Sequence, residues 1–204
     1  MNKDKPTPPQ SFTINPNSAQ SEWLNIIEQI NHIKGCATAG TCYDQISSDP
    51  LKESVEDVYS GKPVLSRSEA DNLEVYTMAG GYSPELIAEA TSAILFSTKS
   101  SLDLNIALSV VGSDPVGGET GSTLLLTNLT LGIKMLNIRL WHDYMPDGEP
   151  SEWADEYHYE NHYTFILEPN NKYELSVYSK SSSSEDSWFN RTKIEVSETI
   201  QTKK

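Results

Sequence analysis

The chain has 204 residues, 22% of them charged and 37% hydrophobic, a composition that suits a folded protein rather than a disordered one. Its formal net charge of −14 repels phosphate backbones, and no cluster of Lys and Arg offsets it, which argues against nucleic acid as a partner. No apolar run approaches the roughly 18–20 residues a bilayer span requires, and the first residues hold no signal-peptide core. The expected location is therefore cytoplasmic, or outside the cell after release without a cleaved signal peptide.

Residues 1–20 are rich in Pro, Asn, Ser and Gln, lack periodicity, and read as a flexible N-terminal arm. Residues 21–98 read as helical. In "SEWLNIIEQINHIKG" the residues Trp23, Ile26, Ile27, Ile30 and Ile33 fall at helical spacing, with Gly35 as a stop. "DPLKESVEDVYSG" places Pro50 in a first turn and ends at Gly61. "SRSEADNLEVYTMAGG" pairs Ser66 with Glu69 in a capping pattern and stops at Gly80. "SPELIAEATSAILFS" carries a stripe of Leu86, Ile87, Ala90, Ile94 and Leu95. His32 reads as a partly buried, hydrogen-bonded side chain beside the first stripe. Cys36 and Cys42 bracket a short loop, either as a disulfide or as two reduced thiols between helices.

After Thr98 the period changes to two. Leu102, Leu104, Ile106, Leu108 and Val110 alternate with polar residues, as in a strand buried on one side. "STLLLTNLTL", "KMLNIRLW", "YHYENHYTFIL", "KYELSVYS" and "RTKIEVSETI" follow as further strands, so 99–200 reads as an antiparallel sandwich, with 201–204 as a tail. The glycine-rich "DPVGGETG" lacks the ending of a phosphate cradle and reads as a loop. Asn128 and Asn190 match the glycan acceptor pattern, which we read as chance.

In "LEPNNKYELSVYS", Leu167, Pro169, Tyr173, Leu175 and Val177 stand where a Leu-x-Pro turn leads to a corner tyrosine and an inward-alternating strand. From Tyr163 to Ile200 the chain resembles a fibronectin type III or immunoglobulin-like sandwich. That resemblance implies a domain that binds, spaces or adheres and is seldom catalytic.

Two constellations carry chemistry. His158, Glu160 and His162 share one face of a strand and are metal-competent, with His142 as a fourth ligand from an expected neighbouring strand; Zn²⁺, Mn²⁺ or Fe²⁺ suits such a set. The alternative is a solvated strand face. Asp143, Asp147, Glu149, Glu152, Asp155 and Glu156 offer hard oxygen donors, without the spacing of the helix-flanked calcium loop. Trp141, Tyr144 and Trp153 lie among these acids, and with Asp147 and Glu149 they form a candidate binding loop for a protein or glycan.

No nucleophile elbow, zinc-protease motif or phosphate loop is present in the sequence. The fold expected is α+β, short N-terminal helices packed with a C-terminal antiparallel β-sandwich. The function expected is a non-enzymatic binding or assembly protein, without cofactor and able to form homo-oligomers. The Lys-over-Arg, Asn-rich composition fits a microbial source. One alternative is a toxin-like, pore-forming protein whose amphipathic helices meet a membrane; another is a metal-dependent enzyme using the histidine cluster.

Overall fold

The computed structural model describes residues 10–12, 24–113, 119–143, 156–182 and 187–200. Among the described residues thirteen strands run in chain order: β1 (Gln10–Phe12), β2 (Leu24–Thr38), β3 (Thr41–Ser47), β4 (Leu51–Tyr59), β5 (Lys62–Asp71), β6 (Glu74–Gly80), β7 (Ile87–Thr98), β8 (Leu102–Ser113), β9 (Glu119–Asn128), β10 (Ile133–Asp143), β11 (Glu156–Leu167), β12 (Lys172–Ser182) and β13 (Ser187–Ile200). No helix occurs among the described residues. The described residues are all-β, which corrects the α+β expectation: where they are described, the four segments read as helices are built of strands and turns.

Two antiparallel sheets form, one in the order β11-β8-β13-β6-β5-β4 with β1 added on β13, the other β10-β9-β12-β7-β2-β3. From β6 onward the pairing is nested. β6 pairs with β13, β7 with β12, β8 with β11 and β9 with β10. This is one long hairpin rolled into two layers, the winding of a jelly roll. The hairpins β2–β3 and β4–β5 widen the two layers on one side. The winding differs from a fibronectin-type strand order, although the corner that prompted that resemblance is formed. Tyr173 is buried, its ring stacks on Phe96 at 5.6 Å, and its hydroxyl takes the Glu168 N–H at 2.8 Å and donates to the Glu168 carbonyl at 3.2 Å. Leu167, Leu175 and Val177 point into the core as that motif requires.

The helical reading fails for an identifiable reason: the inward positions of the first half are filled by small or polar residues. β2 turns Gln29, Asn31, Ile33 and Gly35 inward, while Ile27 and Ile30 stay exposed; a bulge between Ile26 and Glu28 also breaks its alternation. The isoleucines that looked like a helical stripe therefore lie on both faces of a strand. In β4 (Leu51–Tyr59), Leu51 and Val55 are partly buried against the core while Val58 is exposed. β5 buries Val64, Ser66, Ser68 and Ala70, and β6 buries Val75, Thr77 and Ala79. Ser66 is no cap; it sits between the sheets and donates to the Ile87 carbonyl at 2.6 Å. Glu69 faces outward between Lys52 and Arg67. β7 turns Ala88, Ala90, Ser92, Ile94 and Phe96 inward, so Ile87 and Leu95 do not share a face with Ile94. β8 buries Leu102, Leu104, Ile106, Leu108 and Val110 as its alternation requires.

Residues from both sides of position 98 enter one apolar cluster, among them Ile33, Leu73, Phe96, Leu104, Leu126 and Tyr173. Beside it the interior is lined by hydroxyls. Thr77 Oγ1 lies 2.9 Å from both Ser179 Oγ and Ser181 Oγ, and Ser181 lies 3.3 Å from Thr120. Ser122 hydrogen-bonds Thr192 and takes the Asn190 amide at 2.9 Å. Asn190 is thus held inside, and Asn128 is buried with its carbonyl capping Leu131 N–H, so neither acceptor-pattern asparagine presents itself to solvent.

Cys36 and Cys42 face each other across the β2–β3 hairpin and are joined as a disulfide, in strands rather than in a loop between helices. His32 is half-buried and hydrogen-bonded as expected, 2.7 Å from Asp44 on β3, but it lies on a strand and not beside a helical stripe.

Candidate binding surface around Trp141

The rolled hairpin brings many strand ends to one pole. Asp143 pairs with Glu119, Glu156 with Ser113, Ser181 with Thr120 and Ser187 with Gly80. The segments 114–118, 144–155 and 183–186 therefore all depart from this pole. Tyr144, Asp147, Glu149, Glu152, Trp153 and Asp155 lie outside the described residues, as do the side chains of His142, Asp143 and Glu156.

Trp141 stands at the root of the 144–155 segment, on the outer face of the six-stranded sheet; its neighbours Ile138 and Leu140 pack toward the core on alternating positions. Register lines up Trp141, Gly121, Lys180 and Glu89 across four strands. Gly121 is required there: a Cβ would come within 2.8 Å of the Trp141 ring and 2.5 Å of the Leu140 carbonyl oxygen. Without it the indole lies down on the sheet, donating from Nε1 to Thr123 Oγ1 at 3.3 Å. The Tyr178 ring sits 6.1 Å away, tilted by 35°. Tyr178 donates to Glu89 Oε1 at 2.9 Å, and burial together with the Glu89 carboxylate pushes its phenol well above the ordinary tyrosine range. Lys180 pairs with Glu119 at 2.5 Å. Arg139, two residues before Trp141 on the same face, is exposed.

Sequence reading found Trp141 but missed Tyr178, Thr123, Glu89, Glu119 and Lys180, because their proximity follows from the β10-β9-β12-β7 order. One signal was available. Tyr178 falls between the inward positions of β12, so an outward aromatic was legible in "YELSVYSK".

The histidine face lies elsewhere. His158, Glu160 and His162 are exposed on the outer face of the other sheet, opposite Val111, Ser109 and Ala107. β10 does not pair with β11, so His142 belongs to an edge of the opposite sheet rather than to a neighbouring strand. Among the described residues no three His, Cys, Asp or Glu side chains are grouped to hold a metal ion. The inward residues of β11 behave as read: Tyr159, Tyr163 and Phe165 pack on the core. Tyr159 and Tyr163 share a 3.0 Å hydrogen bond, and burial plus that bond pushes Tyr163 up to about 12. On the same outer face as the histidines, Arg67 and Arg191 reach the Tyr76 ring from the strands on either side, at 5.5 and 5.4 Å.

No protein-family model matches the sequence, and no curated protein does. Among solved structures the chain is similar to the enzymatically active domain of tailspike protein 4 of bacteriophage CBA120, at 10% identity and a TM-score of 0.32 over 74% of this chain and 20% of that one. It is also similar to infectious bursal disease virus, Gt strain, at 9% identity and a TM-score of 0.31 over 87% of this chain and 57% of that one. This chain thus spans a fifth of the first and just over half of the second. The fold assignment rests on the strand order itself and not on these likenesses.

Proposed function

We propose that the protein is a non-enzymatic binding and assembly module that recognises a saccharide through the outer face centred on Trp141. The observation that carries this reading is the indole laid over Gly121, bonded to Thr123 and beside Tyr178, on a face that also carries Glu89, Lys180 and Arg139. A flat aromatic face stacks on the C–H face of a sugar ring, and the surrounding carboxylates and cations exchange hydrogen bonds with its hydroxyls. A stable protein interface would instead centre on an apolar core with charges at its rim. The candidate loop residues Tyr144, Asp147, Glu149 and Trp153 follow Asp143 in the sequence and lie outside the described residues. The pore-forming alternative rested on amphipathic helices, and those segments are strands.

The test is a glycan panel probed with the whole chain and with Trp141→Ala, each checked by a thermal melt. Truncating a central aromatic anchor costs about 2 kcal/mol or more, roughly thirtyfold in affinity. Saccharide binding lost in Trp141→Ala supports the reading. No binding across the panel, or binding indifferent to Trp141, removes it.

A further inference from the structure

The opposite pole carries the turns 99–101, 129–132 and 168–171. There the β9–β10 hairpin ends in Leu129-Thr130-Leu131-Gly132-Ile133, and its apolar side chains face solvent: Leu129 is 43% exposed, Leu131 62% and Ile133 52%. Three large apolar groups are exposed within one five-residue tip, and exposed apolar clusters of this kind mark contact surfaces.

Two backbone N–H groups of this tip are paired within the fold, and its one hydroxyl is bonded too. Leu129 N–H donates to the Lys172 carbonyl at 2.8 Å and Leu131 N–H to Asn128 Oδ1 at 3.1 Å, while Thr130 Oγ1 accepts Lys172 N–H at 2.9 Å. Gly132 takes the positive φ of 68° that closes the turn. Each such pairing lowers the cost of entering an apolar medium, where an unpaired backbone group costs several kcal/mol.

Charge around the tip departs from the acidic whole. Lys172 is bonded to the turn, Lys134 follows Ile133, and Lys99 lies in the adjoining β7–β8 turn, where Asn170 N–H reaches the Thr98 carbonyl; all three lysines are exposed. Glu168 is exposed, and Glu174 and Asp103 are half-buried, at the same pole, so the local balance is near neutral where the whole chain is strongly acidic. Charges farther off than about 8 Å are screened at physiological salt, so the local lysines count for more there than the net charge.

We propose that this tip is a membrane-contact element, in which Leu129, Leu131 and Ile133 enter the boundary of a phospholipid bilayer while Lys99, Lys134 and Lys172 meet lipid phosphates. A convex apolar tip fits a surface that yields around it, and cations on its rim fit the phosphate layer above. The proposal does not depend on the Trp141 reading, since the strand that runs from Ile133 to Trp141 separates the two sites by roughly 25 Å.

The experiment is flotation of the whole chain with vesicles of phosphatidylcholine and phosphatidylserine, compared with Leu129→Ser/Leu131→Ser, Lys134→Gln/Lys172→Gln and Trp141→Ala. The expected result is wild-type flotation, a loss of roughly tenfold or more for the leucine variant, weaker and less salt-sensitive flotation for the lysine variant, and none of this for Trp141→Ala. The leucines are exposed, so a thermal melt should match wild type. Wild type left in the soluble fraction, or a leucine variant that floats equally well, overturns the proposal. A leucine variant that changes only the size of the free protein by light scattering also overturns it and makes the tip a contact between copies.

Discussion

Thr77→Val replaces a hydroxyl with a methyl at nearly constant volume, at a position without solvent exposure between the two sheets. The hydroxyl it removes lies 2.9 Å from Ser179 and 2.9 Å from Ser181. Ser181 keeps Thr120 at 3.3 Å, whereas Ser179 is left without a side-chain partner. Orphaning one buried hydroxyl costs about 1–3 kcal/mol. For a chain of this length that corresponds to a fall in Tm of about 2–12 °C. Adding Ser179→Ala removes the orphan, so Thr77→Val/Ser179→Ala should recover most of the loss. Urea unfolding of the wild type, both single variants and the double variant gives the coupling directly. A neutral Thr77→Val, or a double variant as unstable as the sum of the two singles, would refute the idea that these hydroxyls satisfy one another in a dry interior.

Cys36→Ser/Cys42→Ser opens the short loop closed by the disulfide; chain entropy sets the loss at about 2 kcal/mol, and adding reductant to the wild type should reproduce it in a thermal melt. Gly35→Ala drives a methyl into the Tyr43 hydroxyl and Ser66 Oγ between the sheets, so it should lower the urea midpoint, by about 1–3 kcal/mol in stability; an unchanged midpoint would contradict the packing. Tyr173→Phe takes the hydroxyl from the Glu168 backbone and should cost about 1 kcal/mol, while Tyr173→Ala, which also loses the stack on Phe96, should cost about 3–5. Asp57 is held below the usual carboxylate range by the Thr38 and Thr41 hydroxyls and the Val58 N–H. Its contribution is therefore complete above the unfolded value near about pH 4 and is lost as pH falls through the lower folded value. Melting curves of wild type and Asp57→Asn should differ at neutral pH and converge in acid.

The sequence spoke clearly where inward positions are large and apolar. Leu102 to Val110 could be read as a buried strand face because every second residue is aliphatic, and Tyr173 announced its corner through the Leu-x-Pro turn before it. It spoke misleadingly where inward positions are Gln29, Asn31, Ser66, Ser68, Thr77, Ala88 and Ser92, which look like surface or helix-forming residues although they are interior. The β-branched runs "NIIEQINHI" and "ESVEDVY" favoured strands, and weighting them above the 3.6 spacing would have corrected the first half. Trp141 stood out as an aromatic among acids. Its partners did not, because Tyr178 and Glu89 are brought to it by a strand order that no local pattern encodes.

The rolled hairpin also sets a timetable for synthesis. β13, the last strand, sits in the middle of its sheet between β6 and β8. Until residues 187–200 leave the ribosome, Gly80 has no Ser187 and Leu108 no Ile194 to pair with, so β6 and β8 cannot be joined into one sheet. Pairings so distant in sequence make folding slow, and open edges during that wait invite pairing between nascent chains. Loss of residues 187–200 would therefore split the sheet along its centre rather than trim its rim.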